Sequence, residues 1–128
     1  VCQAWAWRVL DEFFAQGDEE QRLGIPVGML NDRAKVNKPG SQHGFIMFVV
    51  SPLVMGAVKI LHPLHPMATQ MAGNLGSWRE CWIQDASPPQ EEAAKRAADV
   101  KKVHEEAERL SKRGQKKGAA AKKRGSRH

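Results

Sequence analysis

The sequence predicts an all-α protein, and three observations predict it. Apolar residues recur at helical spacing over residues 3–16, 42–61 and 67–83. Residues 90–112 combine strong helix formers with opposite charges four positions apart. Helix breakers lie between these stretches: Gly24-Ile25-Pro26-Val27-Gly28, then Pro63 and Pro66, then Ser87-Pro88-Pro89.

In QAWAWRVLDEFFAQ, residues 3–16, Trp5, Val9, Leu10, Phe13 and Phe14 form a broad apolar stripe with Arg8, Asp11 and Glu12 outward. Gly17 offers a stop, although Asp18 to Arg22 are good helix formers that would carry the helix on. Residues 24–40 are the longest irregular segment, rich in the turn formers Asn31, Asp32, Asn37, Pro39 and Gly40. A loop of that length in a compact region is often functional. Ser41 is placed to cap the next helix, which runs from Gln42 to Leu61 with a kink at Pro52. The next helix, Met67 to Ile83, offers Met71, Leu75, Trp78 and Trp82 as a second stripe, which Gly73 and Gly76 weaken.

Beyond Pro89 the composition changes. Residues 90–112 pair Glu91 with Lys95, Glu92 with Arg96, Glu105 with Arg109 and Glu108 with Lys112 at helical spacing. Their apolar stripe, Ala93, Ala97, Val100, Val103, Ala107 and Leu110, is narrow and mostly small, and docks either on the rest of the chain or on a partner. Residues 113–128 hold Gly, Ala, Lys and Arg without acids and are expected to be disordered. Charge divides accordingly: residues 1–85 carry a net −1 and residues 86–128 a net +7. The two cysteines, Cys2 and Cys81, give neither a disulfide framework nor metal-ligand spacing; they read as small buried residues of a chain expected in the cytoplasm. No apolar run reaches the ~18 residues of a membrane span, because Ser51-Pro52 interrupts the longest. The first methionine is Met29, and a chain opening directly into a helical pattern reads as a fragment of something longer.

The chemistry concentrates in SQHGFIMFVVSP, residues 41–52. Gln42 and Phe45 lie one helical turn apart, so a flat heterocycle can stack on the ring while the amide, donor and acceptor at once, reads its polar edge. On residue type alone the commoner readings are a solvated or capping Gln42 and a core Phe45.

Three blocks together resemble the catalytic domain of class I cyclic nucleotide phosphodiesterases. They are Trp5 with Arg8, Asp11-Glu12-Phe13-Phe14 and Gln16-Gly17-Asp18; Gly24-Ile25-Pro26-Val27 with Asp32-Arg33 and Lys35-Val36; and Ser41-Gln42-His43-Gly44-Phe45-Ile46 with Pro52-Leu53. The resemblance covers about residues 3–83. It implies an all-helical HD-type fold that hydrolyses the 3′,5′-cyclic phosphate of cAMP or cGMP, with Gln42 bonding the purine edge and Phe45 stacking on it. Val9 would face the base from the opposite side, Phe13 would line the pocket, and Leu30 would belong to a flexible covering segment. Residues 1–85 would then be the carboxy-terminal part of the catalytic domain, 86–89 a linker, 90–112 a charged amphipathic helix and 113–128 the basic tail.

The chain departs from the family pattern at Trp7, His43, Met47 and Val54-Met55, which leaves nucleotide preference open; the second block looks more like the cGMP-selective branch. The family's two metals, typically zinc and magnesium, and its proton-donating histidine belong to His-Asp motifs that none of His43, His62, His65, His104 and His128 forms here. His62 and His65, three apart across Pro63, read as a solvated helix end. The expected partners are therefore the cyclic nucleotide and the missing amino-terminal part of the domain. An alternative reading takes the tail, with eight Lys/Arg between 112 and 128, as a site for nucleic acid or an anionic membrane surface. A third takes the 90–112 stripe as the contact face of a helical scaffold.

Overall fold

The computed structural model describes residues 2–125 and the side chains of residues 3–116. Its elements are α1 (Cys2–Arg22), α2 (Lys38–Phe45), a π-helical turn (Ile46–Val50), α3 (Ser51–Ile60), a 3₁₀ turn (His62–Leu64), α4 (His65–Ala86) and α5 (Gln90–Gly125), with no strand among the described residues. α3, α4 and α5 pack around Met55, Val58, Ala68, Met71, Ala72, Leu75, Val103, Ala107 and Leu110. The small residues of α4 and α5 let these helices approach closely, and Leu75 and Val58 are sealed completely. The narrow stripe of α5 therefore docks on the chain's own core.

Four elements differ from expectation. Gly17 does not stop α1. The helix continues to Arg22, and Gly17 lets the following loop press on it: a Cβ there would sit 2.1 Å from the Asn31 carbonyl oxygen. The second helix begins at Lys38, capped by Asn37, whose side chain accepts from the Gly40 N–H at 2.8 Å, while the Ser41 hydroxyl donates to the Lys38 carbonyl. Asn37 wins because Pro39, at the start of the helix, has no N–H to satisfy. The tail is not disordered as far as it is described. α5 passes Lys112 to reach Gly125, since adding Ala, Lys and Arg to a helix already nucleated gains one backbone bond per residue. Residues 126–128 of the expected tail lie outside the described residues.

The fourth difference lies just before Pro52: the helix runs on through the proline as expected, but a π turn, Ile46–Val50, precedes it. Lys38–Ile60 is one continuous helix of 23 residues, long and apolar enough by length and composition to cross a membrane, so the apolar run is longer than the sequence reading allowed. The π turn makes this possible: the Ser51 N–H bonds back five residues to the Ile46 carbonyl, widening the turn where the proline ring would otherwise clash. At the far end, His62 is half-buried with Nε2 shielded and without a partner among the described residues, and His65 Nδ1 lies 3.4 Å from the Ser111 hydroxyl, so this is not a solvated helix end. On α5, Glu108 and Lys112 pair at 3.4 Å as expected, but Arg109 turns to Glu106 and Arg96 turns inward.

His43 is buried on the core side of α2, its Nε2 without a hydrogen-bond partner. Burial first, then the charge of Arg96, pushes its pKa from 6.5 down to about 4; Asp99 opposes and Arg79 assists. The folded chain thus refuses a proton that the unfolded chain accepts. Stability is complete above pH 6.5 and falls as the pH drops toward 4, by at most about 1.4 kcal/mol per pH unit. Urea titrations between pH 6.5 and 5, above the range of the carboxylates, will show a falling midpoint, and His43→Leu will flatten it. Gly17→Ala will cost about 1–3 kcal/mol by overpacking against Asn31, measured in the same titration.

Candidate purine site

The apolar stripe of α1 divides in two. Leu10 and Phe14 are buried against the body, whereas Val9 (45 % exposed) and Phe13 (37 % exposed) turn to a hollow between α1 and the α2 helix. Trp7 extends the buried edge, meeting Trp78 of α4 edge-on with centroids 5.2 Å apart. That contact accounts physically for an aromatic residue at a position where the resemblance leads one to expect a polar one.

The hollow, ≈ 820 Å³, is of the size that encloses a nucleotide-sized ligand. α1 forms one wall with Trp5, Val9 and Phe13; Gln42, Phe45, Phe48 and Val49 form the other; Met29 and Leu30 reach over from the loop. All five residues singled out in the sequence, Gln42, Phe45, Val9, Phe13 and Leu30, line this one cavity. Phe45 is 54 % exposed and so is not a core residue. Trp5, Met29, Phe48 and Val49 line it too. Phe48 could have been anticipated from its place three residues beyond Phe45, and Met29 from its neighbour Leu30.

The lining is apolar except for Ser41 and Gln42, and the Ser41 hydroxyl is already committed to Lys38. The Gln42 amide makes no hydrogen bond among the described residues, so donor and acceptor both remain available to a ligand. Its position is fixed through the backbone. Asn37 caps the turn and itself donates to Asp85 of α4 at 2.6 Å, and Gly40 lies so close to Trp82 that a Cβ would come within 3.1 Å of Cδ1. The loop carrying Leu30 is tied to α1 by Glu20, which accepts from the Gly28 N–H at 2.8 Å and from Asn31 at 3.1 Å. The Gly28 bond, then Gln16 and Asn31, hold the Glu20 carboxyl below its usual range, so it stays charged at neutral pH.

A second hollow, ≈ 610 Å³, lies between Trp7, Phe14, Arg33, Lys38 and Asp85, with half-buried Cys81 in its wall. Its cations are already neutralised, Arg33 by Asp18 and Lys38 by Asp11. Among the described residues no three His, Cys, Asp or Glu side chains cluster as metal ligands. These residues therefore do not fit the metal centre that the resemblance implies.

The family model described as 3′5′-cyclic nucleotide phosphodiesterase matches residues 1–71, which include every residue named from the sequence as lining the cavity. A probable 3′,5′-cyclic-AMP phosphodiesterase of Caenorhabditis elegans is 32 % identical over 95 residues, 74 % of this chain and 14 % of the relative. A dual specificity calcium/calmodulin-dependent 3′,5′-cyclic nucleotide phosphodiesterase of Mus musculus is 41 % identical over 73 residues, 54 % of this chain and 10 % of the relative. A high affinity cGMP-specific 3′,5′-cyclic phosphodiesterase of Mus musculus is 40 % identical over 60 residues, 47 % of this chain and 11 % of the relative. The chain thus spans between a tenth and a seventh of the length of these relatives. No solved structure matches it significantly. From residue 1 to residue 71, over more than half its length, this chain belongs to the 3′,5′-cyclic nucleotide phosphodiesterase family.

Proposed function

We propose that this chain supplies the purine pocket of a metal-dependent phosphodiesterase that hydrolyses cAMP or cGMP to the 5′-monophosphate. The observation that carries the reading is a single uncommitted amide, Gln42, on the wall of an otherwise apolar hollow with Phe45 one turn along. The base enters between Phe45 and the α1 wall of Val9 and Phe13, and stacking on the ring orients it. The Gln42 amide then bonds the purine edge. Since no described residue hydrogen-bonds that amide, either orientation is open to it, which suits adenine in one sense and guanine in the other. Leu30 closes over the base and excludes water, which strengthens the hydrogen bonds inside.

In this reading the two divalent ions, zinc and magnesium, and the proton donor belong to parts of the enzyme outside these 128 residues. The exposed apolar side chains of Leu53 and Ile60, each at least 71 % accessible, form the seam against those parts.

The test is kinetic, in the enzyme that carries this segment. Gln42→Ala will weaken recognition of the cyclic nucleotide by about 1–3 kcal/mol, read as a rise in KM. Phe45→Ala will raise KM through lost stacking and Phe45→Tyr will do so less. An unchanged KM for both nucleotides in Gln42→Ala would defeat the assignment.

A further inference from the structure

α5 begins beyond residue 71 and so lies outside the family match, yet it reaches the turn that carries Gln42. The contact is Arg96. Its guanidinium lies 3.8 Å from the centroid of the Trp82 ring, and its Nη1 donates to the Gly40 carbonyl at 3.4 Å. Trp82 is buried and carries the Gly40 backbone against its indole edge, so Arg96, Trp82 and Gly40 form one stack running from α5 through α4 to α2. α5 is held at the height this requires. Arg79 of α4 donates to the Ala93 carbonyl at 3.1 Å, three residues before Arg96.

We propose that Arg96 is a positioning residue for the nucleotide: from a helix outside the family match it fixes the first turn of α2 and thereby the place from which the Gln42 side chain projects. This rests on the reading of the hollow as a purine site. A planar guanidinium suits the role, because it stacks on an aromatic face and keeps its donors in a rigid fork, which an ammonium cannot do. The charges around the turn agree with this contact. His43, one residue beyond Gln42, is faced by Arg96, Arg79 and Asp99, and the Arg96 charge helps to depress its pKa.

The proposal is tested by a double-mutant cycle in the enzyme that carries this segment, together with His43 titration by NMR in the 128-residue chain. Arg96→Ala will raise KM roughly tenfold, the scale of a lost charge-assisted hydrogen bond, with kcat nearly unchanged. In a Gln42→Ala background the same substitution will add nothing. Arg96→Ala will also move the His43 pKa up from about 4. Arg96→Lys will keep the His43 pKa low, because the charge remains, and will recover only part of the KM. Val103→Ala, which loosens α5 far from the turn, will leave KM unchanged.

Additive KM effects for Arg96→Ala and Gln42→Ala, or an equal KM rise in Val103→Ala, would reduce Arg96 to a general stabiliser and overturn the proposal. A KM unmoved by Arg96→Ala but raised by Gln42→Ala would overturn it while leaving the purine site standing. A KM unmoved by Gln42→Ala would overturn the purine site and this proposal with it. In that case a His43 pKa that still rises in Arg96→Ala would show the stack to be intact.

Discussion

The bond from the Ser51 N–H back to the Ile46 carbonyl sets the register on which the molecule depends. From His43 to Ile60 the buried side chains are His43, Ile46, Ser51, Met55 and Val58, spaced three, five, four and three apart. The step of five is the π turn. One extra residue inserted there keeps Met55 and Val58 on the core after Ile46, while Phe45, Phe48 and Val49 turn away toward α1. A regular α-helix would rotate the two halves out of phase, and Pro52 would leave a clash in the middle. The wide turn resolves both problems, and the hollow opens beside it.

From that register the site follows by exclusion. The helix face turned from the core is apolar, and across from it α1 buries only the Leu10 and Phe14 edge of its stripe. The opposite edge, Val9 and Phe13, stays free as the second wall. The spacing between the walls is held by polar contacts at the rim: Glu20 to Gly28 and Asn31, the close approach of Asn31 to Gly17, and Lys38 to Asp11 at 2.6 Å. Exposed ion pairs of this kind add little stability. Their consequence is geometric, since they hold Leu30 over an apolar cavity containing one unpaired amide. Such a cavity favours a ligand with a flat apolar face and a hydrogen-bonding edge.

Most of this was legible in the sequence, for identifiable reasons. The helical periods of α1 and α4 and the spacing of Gln42 and Phe45 are local properties, and local rules read them. Gly17 was ambiguous because a helix stop and a close backbone approach both demand glycine, and only the tertiary position of Asn31 decides between them. Ser41 and Asn37 are both good caps; the choice turned on Pro39, whose missing N–H lets the helix start earlier. Pro52 predicts a kink, but the π turn that accommodates it leaves no composition signal. Helical spacing pairs Arg96 with Glu92 on the surface, and nothing within α5 reveals that Trp82, fourteen positions earlier, provides it with a ring to lie on. The basic end of α5 was read from composition as disordered. Composition describes an isolated segment, whereas this one extends a helix already anchored at Val103, Ala107 and Leu110.

The central claim is that a purine sits between Phe45 and the α1 wall with its edge on Gln42. Intermolecular nuclear Overhauser effects on the enzyme with cAMP or cGMP bound measure this most directly. The account predicts cross-peaks from the purine protons to the Phe45 ring and the Val9 methyls, with a shift of the Gln42 side-chain amide. Cross-peaks to Trp7 and Phe14 in the second hollow, or a Gln42 amide that does not move when the nucleotide is bound, would contradict it.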